Sequence, residues 1–505
     1  MATSSKKIAK NTIFLYMRML VVMGVTFFTA RIILKSLGAS DYGIYNVVGG
    51  VVTMLGFLNA ALSASTSRFL TYELGLGNKE KLADTFSASL NLHILIALIV
   101  FIFGETVGLW FFYTQMVIPA ERIVAAFWVY QFSIVTTMVS FTQVPYNATL
   151  ISHENMSIYA YVGLYEAFSK LAISYLIAIA PFDRLLFYGM LLMINSICIQ
   201  LFYRYYTKIR YQECKLRIVK DKNLYKSLLG FSGWDLFGNL ACICQNQGVN
   251  IVLNLFFGPV VNAARAIAMQ IQTAVKMFTK NFMVAVRPQV VKNFAESKYD
   301  EMYSLTFTTV RLSLLLMLAL TLPLIFEMDY ILSFWLGEGY PEETALFARI
   351  ILLTALVDTI ESGQNMSFHA IGRIKTGNII CGTIMILALP IGYMLLKIGM
   401  PAESVFWTII ATNIINIVLT LIIMKGYVNF SMSLLFRGTF LPVIIVGLLT
   451  VIAPIVICRY FSSGILRLVV NICAIEVVLL VTSWMFAIRR EEKQALLKYV
   501  NKKIK

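Results

Sequence analysis

From Gly438 to Cys458 the chain reads Gly-Thr-Phe-Leu-Pro-Val-Ile-Ile-Val-Gly-Leu-Leu-Thr-Val-Ile-Ala-Pro-Ile-Val-Ile-Cys, without one Asp, Glu, Lys, Arg or His. A helix crosses a hydrocarbon layer of ~30 Å with about 20 such residues, at ~1.5 Å per residue. Comparable stretches recur at about 11–34, 43–66, 86–112, 122–147, 156–180, 184–206, 226–254, 260–287, 303–327, 345–369, 374–397, 403–425 and 465–487. With 438–459 they make about fourteen spans. Composition agrees, with 59% hydrophobic and 13% charged residues, against about 45–50% and 25% in soluble domains. The expected fold is an all-α polytopic membrane protein; disorder, a collagen-like fibre and a disulfide-stapled secreted domain are excluded. The seven cysteines lie mostly inside apolar runs, where they serve as small hydrophobes.

Basic residues alternate with the spans. Lys6, Lys7, Lys10, Arg68, Lys79, Lys81, the run Arg204 to Lys226, Arg287, Lys292, Arg373, Lys425, Arg437 and the tail from Arg489 all fall on one side. The other side has an acidic loop with Glu327, Asp329, Glu338, Glu342 and Glu343. Lys and Arg gather in cytoplasmic loops, which predicts both termini inside. The net charge of +16 is then mainly topological and calls for no nucleic acid. Arg18 interrupts the first apolar stretch and no small-residue cleavage pattern follows, so no removable signal is expected. No segment outside the spans exceeds about 25 residues, too short for a soluble catalytic domain. The chain has no G-x-x-x-x-G-K-[ST] phosphate loop, which argues against direct ATP hydrolysis. No nucleophile triad or metal-ligand cluster marks a loop, so a transporter is expected rather than an enzyme, with no cofactor.

Two halves overlay by their punctuation. Leu37-Gly-Ala-Ser-Asp-Tyr-Gly43 leads into span two, which ends at Arg68; Phe257-Gly-Pro259 leads into span eight, which ends at Arg287. His153-Glu-Asn155 and Gly372-Arg-Ile374 stand in matching places, about 220 residues apart. This predicts a six-helix lobe over 1–206, a basic linker over 207–225, a second six-helix lobe over 226–427, and two additional helices with a basic tail over 428–505. Repeated halves around a midplane site are a transporter architecture.

Ionisable groups inside spans are costly and mark cavities or partners. Span eight carries Arg265, Gln272, Lys276, Lys280 and Arg287 within an arc of roughly 80°, and no acidic residue lies between Arg265 and Arg287. Such a stripe suits an anionic head group. Snorkelling of Lys280 and Arg287 to the interface is the alternative. Arg18, about two turns into span one, is a further cavity cation. Span seven aligns Ser232, Asp235, Asn239, Asn246 and Asn250, forming either a hydrated polar wall with Gln272 or interhelical bonds. Span ten puts Thr354, Asp358, Glu361, Asn365 and His369 on one face. Asp358, Glu361 and His369, with Asp235 opposite, either exchange a proton or hold Na+, or pair statically with cations of span eight, Arg311 or Arg349. Glu166 and Lys170 sit at (i, i+4) and are expected to neutralise each other, and His93 reads as a bonded core residue.

Four stretches carry a family resemblance: Arg31 to Tyr45 (Arg-Ile-Ile-Leu-Lys-Ser-Leu-Gly-Ala-Ser-Asp-Tyr-Gly-Ile-Tyr), Val144-Pro-Tyr-Asn-Ala148 with Ser152-His-Glu-Asn-Met156, Phe231-Ser-Gly-Trp-Asp-Leu-Phe-Gly238, and Asn250 to Arg265. With the span count, the chain resembles the polysaccharide-transporter branch of the multidrug/oligosaccharidyl-lipid/polysaccharide exporter superfamily. The resemblance implies a Wzx-type flippase in the bacterial inner membrane. Such a flippase moves undecaprenyl-diphosphate-linked oligosaccharide, for O-antigen, capsule or exopolysaccharide synthesis, by alternating access coupled to Na+ or H+. It implies two lobes in a V around a central cavity, and other polysaccharide-assembly proteins as partners. Cationic cavity residues are typical of the family, and Arg18 and Arg265 match in kind. A cation-coupled multidrug exporter is the alternative within the superfamily; a membrane-embedded polysaccharide polymerase or ligase is the alternative outside it.

Overall fold

The computed structural model describes residues 2–494 except 55–56, 154, 216, 218, 338, 372–373, 428–431 and 491, with side chains from Leu20 onward apart from several helical stretches, 230–236 and 368–377 among them. Among the described residues every regular element is helical. The long helices are α1 (Ala2–Thr53), α2 (Phe57–Leu76), α3 (Lys79–Phe103), α4 (Ile123–Ser152), α5 (Met156–Ile179), α6 (Arg184–Arg210) and α7 (Lys222–Phe257). They continue as α8 (Pro259–Ala295), α9 (Tyr299–Phe326), α10 (Thr344–Ile371), α11 (Ile374–Lys397), α12 (Ser404–Tyr427), α13 (Leu441–Tyr460) and α14 (Ile465–Thr482). Among the described residues 11 helices are long and apolar enough to cross a membrane. Helices α2, α8 and α10 fall outside that set among the described residues.

The chain forms two compact units, Met1–Ala266 with Glu338–Pro341, and Ile267–Gly337 with Glu342–Lys505. In the first, α4 is the central helix, packing on α2, α3 and α6, while α1 lies on α5 and α7 on α2. Its core gathers Ile44, Val47, Val48, Phe112, Val129, Tyr130, Ile134 and Leu185. Helix α3 continues through a π-helical turn, Gly104–Gly108, into Leu109–Thr114. The Tyr130 hydroxyl donates to the Gly104 carbonyl at 2.7 Å, and a Cβ at Gly108 would lie 2.0 Å from that hydroxyl.

Two glycines set the helix breaks of this unit. Gly38 has φ 77 and ψ 169 and kinks α1; Gly258 has φ 76 and ψ −173 and separates α7 from α8. That region of backbone space is essentially closed to residues with a Cβ. The two positions that punctuate the halves of the sequence thus adopt one conformation. The segment after the first break lies directly on the second, because a Cβ at Gly43 would meet the Pro259 carbonyl oxygen at 1.8 Å. Nearby, Arg122 bridges two carboxylates, with Nε at 2.8 Å from Asp41 and Nη1 at 2.6 Å from Asp183. Arg184 donates to the Ser36 carbonyl at 3.1 Å. The kink is therefore tied to the starts of α4 and α6. The sequence-level pairs also form: Lys170 Nζ lies 2.7 Å from Glu166, and His93, fully buried, bonds the Ser89 carbonyl at 2.7 Å.

In the second unit α9 packs on α10, α10 on α12 and α12 on α11, while α13 and α14 pair with each other and against α9. The acidic loop does not stay wholly in solvent. Glu327, at the end of α9, is 1% exposed and receives Arg467 Nε and Nη2, both at 2.9 Å, together with Asn471 Nδ2. Arg467 and Asn471, one turn apart on α14, need a partner in low dielectric, and Glu327 turns inward to supply it. At another point of α9, buried Arg311 pairs with Glu492 and donates to the Gly438 carbonyl at 2.9 Å. The last two helices are thus fixed to α9 by two charged anchors as well as by apolar contact.

Gly43→Ala should lower the thermal midpoint in detergent, at a cost of about 1–3 kcal/mol for the forced shift of backbone; an unchanged midpoint would show that the α1 kink does not bear on Pro259. Arg467→Ala should cost about 3–5 kcal/mol by stranding a buried carboxylate. Arg467→Met combined with Glu327→Leu should cost less, and equal losses in denaturant melts would refute the charge account.

Candidate functional site

Residues of α7 and the first turns of α8 form a polar centre in the first unit. Gly258 reverses the chain and Pro259 opens α8, at a position where its missing N–H costs nothing. Arg265, two turns into α8, is 5% exposed. Its Nη1 donates to Asn250 Oδ1 at 2.6 Å and its Nη2 to the Asn246 carbonyl at 2.8 Å. Asn262 Nδ2 donates to the Asn250 carbonyl at 2.7 Å, and Asn250 Nδ2 to Gln247 Oε1 at 2.8 Å. Arg265 Nε is buried without a partner among the described residues. The partners of this guanidinium are amide and carbonyl oxygens, so its positive charge is solvated but not cancelled. Of the polar stripe on span seven, Asn250 brings its side chain to Arg265; Asn246 contributes only its backbone carbonyl, its side-chain amide donating to the Cys242 carbonyl at 3.0 Å, and Asn239 is half-buried. Gln247 and Asn262 complete the network; their polarity was visible in the sequence, but not their orientation. The side chains of Arg18, Asp235, Arg287 and His369 lie outside the described residues.

The second unit holds the remaining candidates. Gln272 Nε2 donates to the Ile351 carbonyl at 3.1 Å, and Lys276 Nζ lies 2.8 Å from Asp358 Oδ2, so two side-chain bonds tie α8 to α10. Asn413 Nδ2 donates to Asp358 Oδ1 and Asn416 Nδ2 to Glu361 Oε1, each at 2.9 Å. Asp358 and Glu361 are three apart on α10, and Asn413 and Asn416 three apart on α12. Two helices of equal pitch packed side by side bring such pairs into register. The side-chain oxygens of Asn413, Asn416 and Gln364 are buried without partners among the described residues. Lys280, one turn beyond Lys276, is exposed.

The absence of an acidic residue along α8 left Lys276 without a counter-ion in the linear sequence. The structure supplies one from α10, and Lys276 is paired. Arg311 and Arg349 are not the partners of Asp358 and Glu361: Arg311 takes Glu492, and Arg349 takes Asp329 at 2.5 Å. The i, i+3 spacing of Asn413-Ile-Ile-Asn416 was the available signal for the α12 contribution. Among the described residues no three His, Cys, Asp or Glu side chains gather as a metal centre.

The helical architecture is a MATE-like transporter fold. Residues 237–394, from α7 into α11, match the MatE family model. An inward-facing multidrug resistance MATE family transporter of the MOP superfamily superposes with TM-score 0.69 at 12% identity, over 82% of this chain and 97% of that one. The lipid II flippase MurJ, in an inward closed conformation, superposes with TM-score 0.69 at 14% identity, over 95% of this chain and 98% of that one. A MOP superfamily transporter from Pyrococcus furiosus, noted for a binding pocket of reverse polarity, gives TM-score 0.60 at 13% identity, over 84% and 96%. None of the curated proteins matches the chain by sequence. At these identities the likeness establishes the fold.

A double-mutant cycle of Lys276→Ala and Asp358→Ala should give a coupling of about 1 kcal/mol in thermal melts, modest because the pair is partly exposed. Strict additivity would mean the two groups do not interact in solution.

Proposed function

We propose that this protein is a flippase for undecaprenyl-diphosphate-linked oligosaccharide, with both termini in the cytoplasm of a bacterial cell and its spans in the inner membrane. The observation that carries this reading is the cationic face of α8. Lys276 keeps 40% of its side chain exposed beside Asp358, and Lys280 is exposed a turn further on. Positive charge presented part-way along such a helix attracts a diphosphate through charge-assisted hydrogen bonds and repels organic cations. That polarity disfavours the multidrug exporter. The MurJ superposition, which includes more of this chain than the MATE one, adds support for a flippase-like architecture. A polymerase or ligase would need reactive side chains on a substantial external loop. In this reading Arg265 holds the α7–α8 hairpin in shape, Lys280, exposed and without an ion pair among the described residues, meets the head group, and Lys276 joins it only on leaving Asp358.

Coupling to an ion is assigned to α10 and α12. Lys276 is bonded to Asp358 alone and Glu361 receives only the Asn416 amide among the described residues, so the cluster has an excess negative charge when both carboxyls are ionised. The unpartnered oxygens of Asn413, Asn416 and Gln364 are suited to coordinate Na+; protonation of Glu361 is the other way to balance the charge.

In cells depleted of the protein, lipid-linked oligosaccharide should accumulate in the cytoplasmic leaflet and move outward on re-expression. Unchanged sidedness together with altered resistance to cationic drugs would overturn the flippase reading in favour of the exporter. With transport restored, Asp358→Asn combined with Glu361→Gln should abolish its dependence on the Na+ or pH gradient; retained dependence would make the pair structural.

A further inference from the structure

The segment between α6 and α7 is held down along its length. His153 Nε2 lies 2.6 Å from Glu213, and its ring stacks on Tyr211 with centroids 4.2 Å apart. Cys214 is buried against Thr149. Ser87 Oγ donates to the Lys215 carbonyl at 2.8 Å and Asn91 Nδ2 to the Arg217 carbonyl at 2.9 Å. Tyr225 returns its hydroxyl to the Val219 carbonyl at 3.1 Å. The backbone therefore forms a strap fastened to α3 and α4, and its own bonds decide which side chains point out.

Those side chains are cations. Lys208, Arg210, Lys215, Arg217, Lys220, Lys222 and Lys226 are all exposed, and none forms an ion pair among the described residues. Both acidic residues of the strap are occupied, Glu213 by His153 and Asp221 by the Asn223 and Leu224 amides at the start of α7. Helix α6, with 27 residues, is about 40 Å long, more than the ~30 Å hydrocarbon thickness. Its basic C-terminal turn, with exposed Tyr205 and Ile209 beside it, thus stands at headgroup level.

We propose that this strap binds the anionic phospholipid headgroups of the leaflet it faces. The fastened backbone spares the ordering entropy that a free basic loop would lose on binding. The charges are distributed from the last turn of α6 through the strap to the first turns of α7, which suits a lipid surface better than a single diphosphate. The surface potential of anionic lipid acts on each such cation. This inference does not depend on what the protein transports.

The test uses the purified full-length protein in zwitterionic detergent, titrated with dioctanoyl phosphatidylglycerol and with dioctanoyl phosphatidylcholine by microscale thermophoresis. The phosphatidylglycerol should bind and weaken with added salt. Its affinity should fall about tenfold or more in the variant K215Q/R217Q/K220Q/K222Q and persist in K215R/K220R/K222R, while phosphatidylcholine shows no such difference. Equal phosphatidylglycerol affinity in the wild type and the glutamine variant would overturn the proposal. Stoichiometric displacement of the lipid by inorganic pyrophosphate would also overturn it, assigning the strap to a diphosphate instead.

Discussion

Hydrocarbon offers no partner to a polar group, so each one carried into a membrane span must find its partner within the protein. This requirement decides more of the structure than apolar packing does. It turns Glu327 inward to meet Arg467 and Asn471, places Asp358 opposite Lys276, and surrounds Arg265 with the oxygens of α7. In each case the two partners lie on different helices, so the polar contacts specify which helices are neighbours and at what depth. Apolar residues would pack in many registers, whereas a carboxylate and a guanidinium a few ångströms out of register leave two stranded charges.

The same constraint governs the backbone. A chain in lipid can leave helical geometry only where another part of the protein takes over its hydrogen bonds. Two of the breaks fall at Gly38 and Gly258, in one conformation that requires glycine. Their surroundings show what secures them: Arg122 with Asp41 and Asp183 on one side, and Pro259 against Gly43 on the other.

The two polar centres differ in chemical character, and the proposed division of labour follows from that difference. Around Arg265 every partner among the described residues is neutral. Around Asp358 and Glu361 carboxylates outnumber the one bonded cation, and neutral amides from α12 fill the remaining positions. A buried charge held by neutral partners suits the proposed role of Arg265, fixing the α7–α8 hairpin and keeping the local potential positive. A site whose charge is left incompletely balanced suits a small cation that comes and goes.

The sequence by itself determined the all-helical class and the glycine punctuation, because helix length and 3.6-residue periodicity are local properties; of the fourteen spans read from it, 11 helices are long and apolar enough to cross a membrane among the described residues. Pairs one turn apart, such as Glu166 and Lys170, were legible for the same reason, as was the stripe of Asn246 and Asn250. Tertiary structure alone decided the partnerships. Pairing of Asp358 with a cation of span eight was one of the open readings, and the packing selects Lys276, 82 residues away; Glu327 read as part of an acidic loop because Arg467 is 140 residues distant. The 207–225 segment read as a basic linker, and its anchors Ser87 and Asn91 lie on α3, far away in the sequence. Periodicity tells which side of a helix a residue occupies; only the packing of that helix tells what it faces, and in a medium of low dielectric the facing group sets its charge and its role.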